Sequence, residues 1–389
     1  MSSLWVERLS LTNFRNYKSG NVTAGSGPVV LLGANGSGKT NLLEAVSLLA
    51  PGQGLRRASY PDLSYHDSQA ASKGVWAVSA QLHTNDTILQ VGTGLQPSTS
   101  GSDRARTGRL VRIDGETQRG SGVLADLVEM MWLTPMSDGL FTGPASERRR
   151  FLDRLVLCFD ASFRTRAGQY ERAMRQRNRL LDQGVSSAAQ FHGLETLMAE
   201  MGVAIAAARV EVVTALMCEM EIRRERDGEK AIFPWADIKL EGTLEEALVG
   251  QPAIDLEDSY LTELQRTRER DRAAGRTLIG PHRSDLVVMH GPKQMPAKFS
   301  STGEQKALLV GMVLAHAEMS AKRRLGVPPI LLLDEIAAHF DVDRRRGLFE
   351  DLVRIGGQCW MTGTDRSDFL ALEDCATFIH ITDGQTSTI

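Results

Sequence analysis

"PVVLLGANGSGKT", Pro28 to Thr40, is the stretch on which the fold turns. A short apolar run of strand length leads straight into a glycine-rich turn, and "TNLLEAVSLLA" follows with helical spacing. The segment from Gly33 to Thr40 fits G-x-x-x-x-G-K-[ST] at every fixed position, in the strand-turn-helix context that the pattern requires. In such a loop Gly33, Ala34, Asn35, Gly36, Ser37 and Gly38 turn backbone N–H groups towards phosphate. Lys39 then reaches the β- and γ-phosphates and the Thr40 hydroxyl ligates Mg2+. A nucleoside triphosphate with Mg2+ is the expected ligand.

A second apolar run, "PPILLLDEIAAHFD", places Asp334 and Glu335 at the end of a buried strand. An acid there can hold the metal shell and its neighbour can orient or deprotonate water, so Asp334 is assigned to the metal and Glu335, with Lys39, to catalysis. A strand-end acid can also merely cap the next helix, but the phosphate loop makes the pairing informative. In "STGEQKALLVGMVLAHA", Ser301 and Glu304 have the spacing of a capping box that opens a helix. The same exposed N–H groups and positive helix end suit a phosphate, so cap and anion site are compatible readings of Ser301, Thr302, Gly303 and Glu304.

The 389 residues are 42% hydrophobic and 24% charged, the composition of an ordinary globular chain long enough for more than one domain. "MSSLWVERLSL" lacks a charged-then-apolar leader and no apolar run reads as long enough to span a bilayer, so no membrane partner and a cytoplasmic setting are expected. The four cysteines, Cys158, Cys218, Cys359 and Cys375, lack zinc-ligand spacing. A net charge of −3 means that any nucleic-acid binding must come from a local patch. One such patch lies between Ser146 and Asp182, where ten arginines face five acidic residues, a balance of +5. Arg148, Arg149, Arg150, Arg175, Arg177 and Arg179 are the candidates there for DNA phosphates; a solvated helix face with i,i+4 pairs is the alternative. "RTRERDRAAGR", from Arg266, is partly offset by its own acids.

Along the chain, "LWVERLSLTNF" suits an edge strand, and "VWAVSAQL", "TILQVG" and "RLVRIDG" read as further strands, with the polar "QPSTSGSDRARTG" as a loop. From Ser146 the period becomes helical: Phe151, Leu152, Leu155, Val156 and Phe159 share a face. Leu197, Met201, Ile205, Ala208, Val212 and Leu216 predict a long amphipathic helix. Beyond Leu278 strands return in "LIGPHRSDLVVM", "PPILLLDE", "QCWMTGTD" and "TFIHIT". The expected fold is α/β: a phosphate-loop core with an N-terminal antiparallel portion over 1–145, a helical arm over 146–276 and the second half of the core over 277–389.

Ser-x-Gly-Glu opening a helix, followed about thirty residues later by an apolar strand ending in Asp-Glu, resembles the signature and Walker B elements of ABC-type ATPases. That resemblance implies a site completed in a head-to-tail homodimer, with Ser301 to Glu304 of one copy against the nucleotide of the other. "LTNFRNY", "GANGSGKTNLLEA", "GP" with "RRRFLD", "RQRNRLL", "GPHRSDL" and "STGEQKALL", in that order from about Leu11 to Asp365, are similar to the motifs of the RecF family, recombination mediators related to SMC proteins. The resemblance implies a weak, DNA-stimulated ATPase that dimerises on ATP, binds gapped or double-stranded DNA and acts with RecO and RecR to load RecA. By position it places Asp341 at a D-loop crossing the dimer and Arg15 and Asn16 near the nucleotide. It also puts Thr364 and Asp365 where transporter ATPases carry a switch histidine. Ala338 stands where the D-loop often has serine, and Met136 and Ser137 where an acid is frequent. A transporter subunit would carry the switch histidine and lack the helical insertion. An SMC-like structural clamp without recombinase loading is another alternative, but it calls for far longer heptad arms; a nucleotide-controlled DNA clamp whose slow hydrolysis only resets binding is the third, favoured by a low turnover that scales with DNA.

Overall fold

The computed structural model describes residues 4–65, 75–84, 87–95, 108–228, 231–337 and 340–388. All of "QPSTSGSDRARTG" but its final glycine, and Ala338 of the D-loop, lie outside the described residues. Two compact units divide the chain: Met1–Asp138 with Val313–Ile389, and Gly139–Met312.

The first unit holds two six-stranded sheets. One is antiparallel, in the order β2-β1-β4-β5-β6-β7: β1 (Leu4–Phe14), β2 (Tyr17–Thr23), β4 (Ala77–Thr84), β5 (Thr87–Leu95), β6 (Arg109–Ile113) and β7 (Glu116–Thr117). β1 is not an edge strand, as its pattern suggested, but is paired on both sides, with β2 and with β4. Its partner β4 arrives some seventy residues later in the chain, and local alternation does not encode a long-range neighbour. The alternation itself slips by one residue, from Leu4 and Val6 to Leu9 and Leu11, at the register shift between Val6 and Arg8 that keeps both halves facing the core.

The other sheet runs β15-β14-β3-β13-β12-β8, formed by β3 (Val29–Leu32), β8 (Met130–Leu133), β12 (Ile330–Leu333), β13 (Cys359–Gly363), β14 (Thr377–Thr382) and β15 (Gln385–Thr388). All its pairings are parallel except β14 with β15. β3 and β12 are buried along their full length, as strands covered on both faces must be. α1 (Lys39–Ser47) packs against β1 and β13, and α9 (Val342–Ile355) connects β12 to β13. Gln358 fastens the two sheets: its buried amide exchanges hydrogen bonds with the Val6 N–H and carbonyl, both 2.9 Å, and donates to the Gly25 carbonyl at 2.8 Å. A buried amide with its groups satisfied specifies one alignment of the strands that meet there.

The second unit contains α2 (Ala145–Leu157), α3 (Phe163–Asp182), α4 (Ala188–Asp227), α5 (Thr243–Ala247), α6 (Ala253–Arg266) and α7 (Arg268–Ala274). It also holds a three-stranded sheet of β9 (Ala236–Glu241), β10 (Asp285–His290) and β11 (Met295–Pro296), and the beginning of α8 (Thr302–Arg323). Phe151, Leu152, Leu155 and Val156 form the buried face of α2. The sheet carries chain from 285 to 296 back onto the helices, because β10 pairs with β9 along its whole length. Compactness therefore divides this unit at 138/139 and 312/313, where the change of sequence period falls at 145/146 and 276/277.

α4 has 40 residues, about 60 Å of helix. By length and composition it could cross a bilayer, although no apolar run in the sequence reads as a span. Here it is the spine of the unit, packed most extensively against α3 and α6, and its packed face buries Glu195, Arg209, Glu219 and Arg223. Two of these belong to ionic webs. Arg177, 0% exposed, donates to Glu195 (3.0 Å), Asp271 (2.8 Å), Thr277 Oγ1 (2.9 Å) and the Leu264 carbonyl (2.7 Å). Arg209 binds Asp153 (2.8 Å), Glu245 (3.3 Å), the Pro281 carbonyl (2.6 Å) and Ser284 Oγ (2.8 Å).

Removing one partner of a buried pair strands the others' charge at a cost of about 3–5 kcal/mol, whereas an exposed substitution stays within about 0.5 kcal/mol. Urea unfolding is therefore expected to show Arg177→Met as severely destabilised and Arg175→Ala as unchanged.

Candidate functional site

The parallel sheet places β13 between β3 and β12, so the carboxyl ends of all three emerge side by side. In open α/β sheets ligands bind at that end. Gly33 leaves β3, Asp334 and Glu335 leave β12, and Thr362 is the penultimate residue of β13.

The glycine loop is braced from below. Asn16 Nδ2 donates to the Ser37 carbonyl at 3.0 Å, and the buried Tyr17 hydroxyl donates to the Gly38 carbonyl at 3.0 Å. Gly38 has φ +115°, and a Cβ there would lie 2.5 Å from the Asn16 amide, so the position accepts only glycine. Over Gly36, at φ +85°, a Cβ would meet nothing within 4 Å, leaving open space above its backbone. Lys39 Nζ, nearly buried, donates to the Gly33 and Ala34 carbonyls at 2.6 and 2.9 Å. Burial pushes its pKa down, and the carboxylates of Glu335 and Asp334 pull it part of the way back.

The Thr40 hydroxyl donates to Asp334 Oδ1 at 2.9 Å, and the Thr362 hydroxyl donates to the same oxygen at 3.0 Å. Burial drives the Asp334 carboxyl up, and these two bonds hold it back down. Glu335 follows with φ +56°, a left-handed conformation that costs a non-glycine residue about 1 kcal/mol, and its N–H donates to Thr362 Oγ1 at 2.8 Å. Asn35, Gly36, Gly38, Lys39, Thr40, Asn41, Arg56 and Glu335 line one cleft of 160 Å³. Drug-sized ligands need roughly 300–1,000 Å³, so this volume suits the phosphates of a nucleotide rather than the whole molecule.

The residues present fit a triphosphate with Mg2+. The loop offers open backbone over Gly36 and a buried Ser37 hydroxyl without a hydrogen-bond partner among the described residues, which a phosphate oxygen would satisfy. Thr40 and Asp334 form a hydroxyl-carboxylate pair of the kind that ligates Mg2+, and Lys39 supplies the charge. Glu335 faces the same cleft as an acceptor for a water proton.

Arg15 and Asn16 serve the loop from its flank. Arg15 forms a two-pronged pair with the buried Glu44 of α1, at 2.7 and 2.8 Å, and donates to the Asp62 carbonyl. Asn16 also accepts from Asn41 at 2.8 Å, and Asn41 accepts from Arg56 at 2.7 Å. Sequence patterns singled out neither Arg56 nor Thr362. The signal for Thr362 was a lone hydroxyl in a buried strand; Thr364 and Asp365, two and three residues on, are exposed, and Asp365 caps a short turn by accepting from the Ser367 N–H. Asp341 caps α9, accepting from the Arg344 N–H at 2.8 Å. Met136 is exposed, and the Ser137 hydroxyl accepts from the Thr134 N–H.

In the second unit Ser301 and Glu304 close the capping box: the Ser301 N–H and hydroxyl donate to Glu304 Oε2 at 3.0 Å, and the Glu304 N–H returns to Ser301 Oγ at 3.4 Å. Lys293, 2.5 Å from Glu304, and then the Ser301 groups bring the Glu304 carboxyl down to about 2. Ser301, Thr302 and Gly303 remain exposed at the start of α8.

The arginine candidates separate by burial. Arg177 is wholly internal, and the expectation that it touches DNA is corrected: it lies on the buried stripe of α3 with Tyr170, Ala173 and Leu181. Arg148 grips Asp285 at 2.7 and 2.8 Å, and Arg149 donates to the Ser284 carbonyl at 2.7 Å, so both fasten "RRRFLD" to "GPHRSDL". Arg150 is exposed and paired with Glu147, Arg175 is exposed beside Glu171, and Arg179 is exposed.

A family profile described as "RecF/RecN/SMC N terminal domain" matches residues 5–372. A "DNA replication and repair protein RecF" of Mesorhizobium japonicum is 49% identical over 379 residues, 97% of this chain and 96% of that protein. The protein of the same description from Brucella suis is 48% identical over 388 residues, 99% and 96%. In fold, the chain is similar to a solved structure described as the recombination mediator protein RecF-ATPrS in the RecFOR pathway, at TM-score 0.84 and 20% identity, covering 99% and 98% of the two chains. An Smc head domain from Pyrococcus furiosus aligns at TM-score 0.55 and 16% identity, covering 99% and 96%.

Gly38→Ala forces a Cβ against Asn16 and Tyr17 in a backbone region that alanine avoids. Titration with a fluorescent nucleotide is expected to show affinity reduced at least tenfold, while Thr364→Ala, at an exposed position outside the cleft, binds as the unaltered protein does.

Proposed function

We propose, since the chain belongs to the RecF family of DNA replication and repair proteins, that it is an ATP-dependent DNA-binding protein of recombinational repair and fork maintenance, with a weak ATPase that DNA stimulates. The observation that carries the reading is the convergence of Lys39, Thr40 and Glu335 on one phosphate-sized cleft, with Asp334 bonded to the Thr40 hydroxyl. Structures of similar fold are described as RecF-ATP and RecF-ATPrS, which favours ATP over GTP. In the proposed hydrolysis Glu335 accepts a proton from the attacking water as its oxygen bonds to the terminal phosphorus and the bridging bond to ADP breaks. Lys39 offsets charge on the phosphates, and Thr40 and Asp334 would hold a Mg2+ that would supply further positive charge there.

Ser301, Thr302 and Gly303, exposed at a helix start, are proposed to meet the nucleotide of a second copy, with Asp341 crossing the same interface, so that ATP drives homodimerisation. The RecFOR description of the similar structures supports RecO and RecR as partners; RecA loading at single-strand gaps, in the cytoplasm, is the proposed outcome. For DNA, the exposed Arg164, Arg172, Arg175 and Arg179 fall within an arc of about 80° on α3 at 100° per residue. They take the place of the internal Arg177 and of Arg148 and Arg149, which fasten the unit, as phosphate contacts, with Arg150 as a further exposed candidate.

Light scattering tests the dimer. Glu335→Gln is expected to double its mass on adding Mg-ATP, and a further Ser301→Arg to abolish the doubling; a monomer that demonstrably binds nucleotide would rule out the shared site. Replacing the four α3 arginines by glutamate is expected to weaken DNA binding and flatten the salt dependence of log K by up to about one unit per lost contact. An unchanged slope would remove this face from the interface.

A further inference from the structure

We propose that Thr362 is the positioning residue of the ATPase, holding the metal acid and the water-activating acid in register through one hydroxyl. The inference rests on the hydrolytic reading above and deepens it. Thr362 Oγ1 is buried at the end of β13, donates its proton to Asp334 Oδ1 at 3.0 Å and accepts the N–H of Glu335 at 2.8 Å. Both ends of the Asp334–Glu335 pair are thus tied to the strand that lies between β12 and β3.

The bond to the Glu335 N–H fixes the peptide plane from which that residue departs at φ +56°. Without an acceptor the N–H has no reason to stay turned towards β13, and the plane is free to relax towards the right-handed region that glutamate prefers. Such a rotation about the Glu335 backbone would swing its carboxylate out of the cleft that it now lines with Lys39 and Thr40. Misplacement by about 1 Å is enough to cost a reaction that depends on orientation about 100-fold. The nucleotide itself is held by the loop between β3 and α1, which Thr362 does not touch. The effect therefore belongs in turnover rather than in binding.

Two substitutions separate the hydroxyl from the shape. Thr362→Val keeps the volume and removes both hydrogen bonds; Thr362→Ser keeps both bonds and removes a methyl group. In steady-state ATPase assays with DNA, Thr362→Val is expected to lower kcat 10- to 100-fold with KM changed less than threefold, and Thr362→Ser to retain at least a third of the rate. Fluorescent nucleotide titration without Mg2+ should give both variants the affinity of the unaltered protein. Equal kcat in the valine variant overturns the proposal, as does a serine variant as slow as valine or a loss of metal-free nucleotide binding, since these would make the position one of packing. Glu335→Gln run in parallel keeps the two readings apart: if it hydrolyses as fast as the unaltered protein, the catalytic assignment itself fails, whatever Thr362 does.

Discussion

A single carboxylate oxygen, Asp334 Oδ1, organises the nucleotide end of this protein. It accepts hydroxyls from Thr40, at the head of the helix after the phosphate loop, and from Thr362, on the neighbouring strand. Three chain segments far apart in sequence are held at one point by that atom. A buried carboxylate is costly, and the raised Asp334 carboxyl records the cost; the two hydroxyls offset part of it. The arrangement leaves the acid preorganised for a cation, with the loop braced beneath it by Asn16 and Tyr17.

The helical unit uses charge differently. Its arginines divide into those that fasten the unit and those that face water. Arg148 and Arg149 tie "RRRFLD" to "GPHRSDL" across more than 130 residues of chain, so two motifs that look separate in sequence form one structural device. Buried pairs are screened little by salt, whereas exposed arginines lose their reach beyond the Debye length. The unit can thus carry a salt-sensitive surface on a salt-insensitive scaffold.

Much of this is legible in the sequence alone. The phosphate loop, the acidic strand end and the capping box are local patterns, and local physics fixes them. The parallel strands β3, β12, β13 and β14 were legible too, as short apolar runs; β8, whose partner β12 lies far along the chain, was not. What local pattern could not supply was long-range company. β1 looked like an edge because nothing nearby announces β4, and Arg148 looked free because Asp285 lies 137 residues on. Arg177 was the readable exception: its steps of three and four from Tyr170, Ala173 and Leu181 put it on the apolar stripe, and a count of arginines hid the periodicity. Thr362 was passed over for the opposite reason, as one hydroxyl in a strand read only for its apolar residues.

The left-handed backbone at Glu335 sets selection against folding at that position. Stability alone would favour glycine or asparagine there, and under the proposed hydrolysis it is the chemistry of a carboxylate that keeps glutamate. In a lineage that no longer needed hydrolysis, drift would not wander neutrally at this site. It would have a direction, towards the residues that the backbone prefers, and an inactive descendant would fold a little better than its ancestor.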